Sequence, residues 1–201
     1  MFKRVLLVVL GIALLSLAGC GGEAPKADQP QAAATAGAPK AAQESVPIYE
    51  VTKDDITSHP GWTSRNISIL GLKLGDKTRE VEKGLGDVEN TRTLPEEYLT
   101  LYQGGGLLVY THKLTGKARK VDINQAFAKK VTDTKLQKLL TSGDLKLMRE
   151  VLGMEEGEAI QNTDENATEY PYDSRGFRFV KIKVTGGTVN TLRFLEMKKT
   201  T

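Results

Sequence analysis

The 201 residues carry 28 lysines and arginines against 25 aspartates and glutamates, a formal net charge of +3, with one cysteine and two histidines. No Lys/Arg block or stripe is interleaved with aromatics, which excludes nucleic acid as the expected partner. About 150 residues of folded chain can hold one good-sized core or two small ones, and beyond residues 5 to 18 no hydrophobic run comes near spanning length.

The chain opens on a short basic segment, Met1-Phe2-Lys3-Arg4, followed by the apolar run VLLVVLGIALLSLA at residues 5 to 18. Such a run makes about 21 Å of helix, short of a ~30 Å hydrocarbon core, and with its flanks reads as a secretory signal peptide over 1–19. Its removal takes Lys3 and Arg4 with it and leaves 26 basic residues against 25 acidic, a net charge of about +1. The tetrapeptide Leu17-Ala18-Gly19-Cys20 resembles the lipobox of bacterial lipoproteins. That resemblance implies a diacylglyceryl thioether on Cys20, cleavage just before it, and acylation of the new amine. Several acyl chains give near-permanent membrane attachment. Gly21 and Gly22, in place of an aspartate after the cysteine, imply the outer membrane in a diderm host, and otherwise the outer face of the cytoplasmic membrane. A thiol consumed in this way is lost as nucleophile, metal ligand or disulfide partner.

Residues 20–47 form the expected anchor and tether. After Cys20 they contain nine alanines, four of the chain's seven prolines and no aromatic residue. A segment of that composition cannot bury enough apolar surface to offset its ordering entropy, so a disordered or partly polyproline II tether is expected, with an alanine-rich helix as the alternative. The folded part is expected from about Ile48 onward, as a first repeat over 48–128 and a second over 129–201.

The first element of that part is a helix over GDKTREVEKGLG, Gly75 to Gly86, with Asp76 or Thr78 as cap, Val81 and Leu85 on one face, and Gly86 at its end. Gly84 inside it is unfavourable by about 1 kcal/mol relative to alanine. EYLTLY then alternates as a strand, placing Tyr98, Thr100 and Tyr102 on one face and Leu99 and Leu101 on the other. The glycine-rich QGGGL lacks the Lys-Ser/Thr and helix of a phosphate cradle and reads as a hairpin turn. The strand LLVYT and a return strand after Thr115-Gly116 complete the copy. TDTKLQKLLTS predicts a helix with Leu136, Leu139 and Leu140 inward, and SGDLKLMREVLG a second one, capped by Asp144, with Leu145, Met148, Val151 and Leu152 as its stripe. FRFVKIKV is the last strong strand. Phe177, Phe179, Lys181 and Lys183 share one of its faces; Val180, Ile182 and Val184 share the other.

An offset of 70 residues aligns the two hairpin regions: Tyr102 with Tyr172, Gly106 with Gly176, Lys113 with Lys183, and Thr115-Gly116 with Thr185-Gly186. The fold class expected is α+β, two related helix-plus-antiparallel-hairpin repeats forming one mixed domain with helices on one face of the sheet. The run Gly75-x5-Val81-x3-Leu85-Gly86, followed by a loop and strands, resembles the motif of SmpA/OmlA-type small envelope lipoproteins. Tandem copies of such a unit are similar to the β-lactamase-inhibitor-protein fold. The second copy departs from the motif, with Ser142 for the first glycine and Met148 for the valine. What the resemblance implies is non-catalytic protein binding in the cell envelope.

The chemistry-bearing residues offer little for a reaction. His112 falls within a strand beside Tyr110, and His59 lies in the turn-rich DDITSHPGW, where Asp54 and Asp55 stand near it without a recognised metal-ligand spacing. NTDENATEYPYD gathers Asp164, Glu165, Glu169 and Asp173, yet lacks the EF-hand glycine and terminal glutamate, so it reads as a solvated loop. The sequons at Asn66 and Asn166 are expected to stay unused. No metal, cofactor or catalytic residue is expected.

With helices over the aliphatic face, the strip Tyr98, Tyr102, Phe177, Phe179, Lys181 and Lys183 would lie on an open sheet face as the partner-binding candidate. The function expected is a lipid-anchored, non-catalytic protein-binding or scaffolding module of the envelope, with the membrane and another envelope protein as partners. The alternatives are an inhibitor of a secreted or periplasmic hydrolase and a small-molecule or lipid carrier.

Overall fold

The computed structural model describes residues 46–56 and 61–197. The leader, Cys20, nearly all of the tether and His59 lie outside the described residues. The described residues belong to one compact unit.

The unit is α+β. A small parallel pair, β1 (Tyr49–Glu50) and β2 (Ile67–Ser68), precedes α1 (Thr78–Leu85). Four strands follow, β3 (Asn90–Thr93), β4 (Glu97–Tyr102), β5 (Leu107–His112) and β6 (Ala118–Asn124). A 3-10 turn at Phe127–Lys130 leads to α2 (Thr134–Ser142) and α3 (Leu145–Leu152). Four more strands close the chain: β7 (Ile160–Asn162), β8 (Ala167–Tyr172), β9 (Phe177–Val184) and β10 (Gly187–Leu195). All eight strands from β3 onward form one antiparallel sheet in the order β3-β4-β5-β6-β10-β9-β8-β7.

The helices arise where the apolar spacing places them. Asp133 and Asp144 start α2 and α3, their carboxylates accepting from the amides of Leu136 at 2.8 Å and Leu147 at 2.7 Å. Leu136, Leu139 and Leu140 of α2 and Met148, Val151 and Leu152 of α3 are buried, and they join one core with Leu85 of α1. The start of α1 differs from expectation. Its N-cap is Lys77, without a side-chain bond, because Asp76 accepts from the Lys73 amide at 3.0 Å and the Thr78 hydroxyl bonds that of Thr111 at 2.8 Å. Gly84 has a packing reason: a Cβ there would stand 2.9 Å from the Leu70 carbonyl oxygen.

The sheet completes this core with one of its faces. Leu107 and Val109, Val121 and Ile123, Leu192 and Phe194, and Phe177 and Phe179 all point into it and are at most 2% exposed. Trp62 stacks on Phe177 with ring centroids 4.4 Å apart, and Tyr172 stacks on the same ring at 4.7 Å. Arg175 lies over both Trp62 and Phe177 and donates to the carbonyls of Trp62 at 3.0 Å and Leu152 at 2.8 Å. The segment before α1 is organised by Glu50, which accepts from the Ser68 and Thr52 hydroxyls and from the amides of Leu70 and Gly71. Those bonds hold its carboxyl below the ordinary glutamate value, against the opposing pull of burial.

Candidate functional site

Strand alternation leaves a second sheet face opposite the helices. Leu108 and Tyr110 of β5 lie on it, beside Lys120, Asp122 and Asn124 of β6 and Val189, Thr191 and Arg193 of β10. Arg178, Val180, Ile182 and Val184 of β9 and Glu169 of β8 continue it. No described helix joins this face to the core, yet Asp122, Glu169 and Arg193 are only 2%, 3% and 5% exposed. They bury one another. Arg193 stands opposite Asp122 on one neighbouring strand and opposite Arg178 on the other.

Arg193 organises the centre. Its Nε donates to Asp122 at 3.1 Å, NH2 to Asp122 at 3.0 Å and to Glu165 at 2.8 Å, and NH1 to Glu169 at 3.2 Å. Glu169 also accepts from Arg178 NH1 at 2.7 Å and from the Asn162 amide at 3.0 Å. Directly opposed like charges are unfavourable across a pair of strands. Glu169 relieves the Arg193–Arg178 pair by accepting from both. Arg178 further pairs with Asp173, Nε and NH2 donating at 2.9 and 3.0 Å.

The environment shifts these groups in definite directions. Burial pushes the Asp122 carboxyl up, against the pull of the Arg193 guanidinium beside it. Burial works against the charge on Arg193, but Asp122 and Glu165 together raise it above the ordinary arginine value. Glu169 is raised by burial and lowered further by Arg178, Asn162 and Arg193, with a net depression. Lys120 rests with its ammonium 3.6 Å from the centre of the Tyr110 ring, and burial depresses its pKa. Beside this network the face sinks into a depression of about 360 Å³. Leu108, Ile182, Val184 and Val189 wall it, and Asp122, Arg193 and Glu165 supply its charge.

The residues expected to bind a partner stand elsewhere. Tyr102, Phe177 and Phe179 are 0–1% exposed in the core, so the two faces are used the other way round from expectation. The physical reason is register: Arg178 stands opposite Arg193 on the charged face, which puts Val180, Ile182 and Val184 on that face too and leaves Phe177 and Phe179 under the helices beside Trp62. Tyr98 is 42% exposed, near the Lys113 ammonium at 5.6 Å. Lys181 is tied down by donating to the Gly143 carbonyl at 2.8 Å, and Lys183 is exposed on the same side as the core rings. The acidic run 162–173 is likewise not simply solvated, since Glu165, Glu169 and Asp173 all pair with arginines. His112 sits at the β5–β6 turn, its Nδ1 3.3 Å from the Thr115 amide. Among the described residues no group of His, Cys, Asp or Glu is arranged to hold a metal, and no helix is long and apolar enough to cross a membrane.

One signal in the sequence marks the network. Val121-Asp122-Ile123 and Leu192-Arg193-Phe194 each set a charge between two buried apolar residues in mid-strand, which requires an opposite charge close by.

No family model and no curated protein matches the chain. Among solved structures, a DUF4309 family protein, YjgB from Bacillus subtilis, is similar with a TM-score of 0.45 and 12% identity over 72% of this chain and 95% of that one.

Proposed function

We propose that this protein is an exported, lipid-anchored, non-catalytic binding module of the cell envelope, and that it meets a protein partner with the sheet face opposite its helices. The observation that carries the reading is the depression on that face. Apolar walls around a few fixed polar groups are the usual composition of a binding site. The anchor rests on Leu17-Ala18-Gly19-Cys20.

The domain reads as two related repeats meeting at the β6–β10 pair. Strands β4 and β8, and the starts of β5 and β9, stand 70 residues apart, and the sheet order mirrors itself about that junction. Equivalent details support the pairing. The Gly106 amide donates to the Gln103 carbonyl at 3.2 Å, and the Gly176 amide to that of Asp173 at 3.1 Å. Leu85-Gly86 and Leu152-Gly153 both end a helix with φ/ψ of the glycine at 91°/−168° and 88°/−175°. The last carbonyl of each accepts from the turn that follows β4 or β8, Leu85 from Gln103 Nε2 at 2.5 Å and Leu152 from Arg175 NH1 at 2.8 Å.

The test is site-specific photocrosslinking in intact host cells. A photoreactive residue at Val184, on the open face, should capture an envelope protein that one at Lys146, on α3, does not. Capture should be lost in Cys20→Ser. A soluble hydrolase captured with or without the anchor would instead make the protein an inhibitor. Capture only from Lys146 would remove the open face as the binding surface.

A further inference from the structure

We infer that the depression between β5 and β9 seats one basic side chain, lysine or arginine, flanked by apolar residues of the partner. This rests on the open face being the binding surface. The acidic and basic groups lining the depression are Asp122, Glu165 and Arg193, two carboxyls against one guanidinium, which leaves one carboxyl in excess. Its position follows from the hydrogen bonds. Both Asp122 oxygens accept from Arg193, whereas Glu165 gives Arg193 only Oε2. Glu165 is also the solvent-facing member, its side chain 36% exposed against 3% for Asp122. The surplus charge therefore resides on Glu165 at the mouth of the depression.

An incoming anion finds no comparable partner. The Arg193 Nε, both NH2 hydrogens and one NH1 hydrogen are already directed at Asp122, Glu165 and Glu169. Lys120 stands on Tyr110 and does not line the depression. A lysine or arginine suits both chemistries, because its aliphatic stem packs on apolar surface while its head stays at the charged rim. Ile182, Val184 and Val189 offer that surface, with Val184 48% exposed. The volume of about 360 Å³ has room for one long side chain and its apolar neighbours.

The experiment uses the full-length protein in dodecyl maltoside micelles with labelled Ile, Leu and Val methyls. The probes are three peptides, acetyl-Val-X-Val-amide with lysine, norleucine or glutamate as X. The lysine peptide should shift the methyls of Leu108, Ile182, Val184 and Val189, with norleucine about fivefold weaker and glutamate without effect. Glu165→Gln keeps an oxygen for Arg193 and removes the charge, so it should weaken the lysine peptide about fivefold and leave the norleucine peptide unchanged. Equal binding of the glutamate peptide, no shift by the lysine peptide up to about 10 mM, or indifference to Glu165→Gln would overturn the inference. Should crosslinking from Val184 still capture an envelope partner, only the basic side chain falls and the binding face stands.

Discussion

Arg193→Met removes the centre of the charge network while keeping a side chain of similar length. Among the described residues Asp122 then loses the donors that meet its carboxylate, because both of its oxygens accept from Arg193. Glu169 retains Arg178 and Asn162, and the partly exposed Glu165 can turn to water. The loss is thus dominated by one buried carboxylate left without a hydrogen bond, with Lys120 the cation still acting on it, and removing one member of a buried pair costs about 3–5 kcal/mol. Replacing both members by apolar groups avoids that penalty, so Arg193→Met combined with Asp122→Leu should lie within about 1 kcal/mol of the wild type. Urea unfolding followed by the fluorescence of Trp62, the single tryptophan and 1% exposed, measures both variants. The sign with pH is also fixed. In Arg193→Met the folded-state pKa of Asp122 rises further above its unfolded value, so the penalty grows as pH rises and fades as pH falls towards about 4. A single variant losing under about 1 kcal/mol, or a double variant no better than the single, would refute the pairing as the reason these charges are buried.

Leu85→Ala and Leu152→Ala, each at a fully or almost fully buried helix end, should destabilise by about 2–5 kcal/mol in the same assay; losses under half a kcal/mol would undo the shared core. Asp144→Ala removes the acceptor for the Leu147 amide and should cost about 1 kcal/mol, visible as a lower urea midpoint with unchanged slope. Glu50 and Glu169 both have folded-state pKa values below their unfolded ones, so the stability they add is complete above the ordinary glutamate value of 4.5 and is lost as pH falls through their depressed values. The raised Asp122 works in the opposite sense, and a melting temperature that rises on acidification through this range would mean it dominates. Cys20→Ser should leave the unfolding midpoint unaltered and either move the protein from the membrane fraction to the soluble one or leave the leader uncleaved; a processed Cys20→Ser chain retained at the membrane as the wild type is would refute lipid attachment.

The helices and the long strands β4, β5 and β9 were legible because periodicity and capping are local, whereas the short β1, β2, β3 and β7 carry too few residues to show a pattern and β8 lies in a run that reads as a solvated loop. The stripe Leu136, Leu139 and Leu140, the cap at Asp144, and the hairpin turn at QGGGL follow from spacing alone, and each stands where spacing puts it. The α1 cap was not legible. Asp76 and Thr78 are both good capping types, but each is drawn to a partner away from the helix start, Lys73 in one case and Thr111 in the other. Thr111 lies 33 residues from Thr78, beyond any local pattern.

The side on which a strand meets the helices was the costlier question. FRFVKIKV carries both apolar and basic residues on each face, so alternation separates its two sets without saying which is inside. The decision comes from its neighbours. On β10 and β6 the alternate positions carry Arg193 and Asp122, whose buried charges need one another and the carboxylates of Glu165 and Glu169, and these gather on the side away from the helical leucines. Register then assigns β9: Arg178, opposite Arg193, goes to the charged face with Val180, Ile182 and Val184, and Phe177 and Phe179 go under the helices. The charges in mid-strand therefore orient the sheet, and the same charges furnish the depression that the proposed partner would fill.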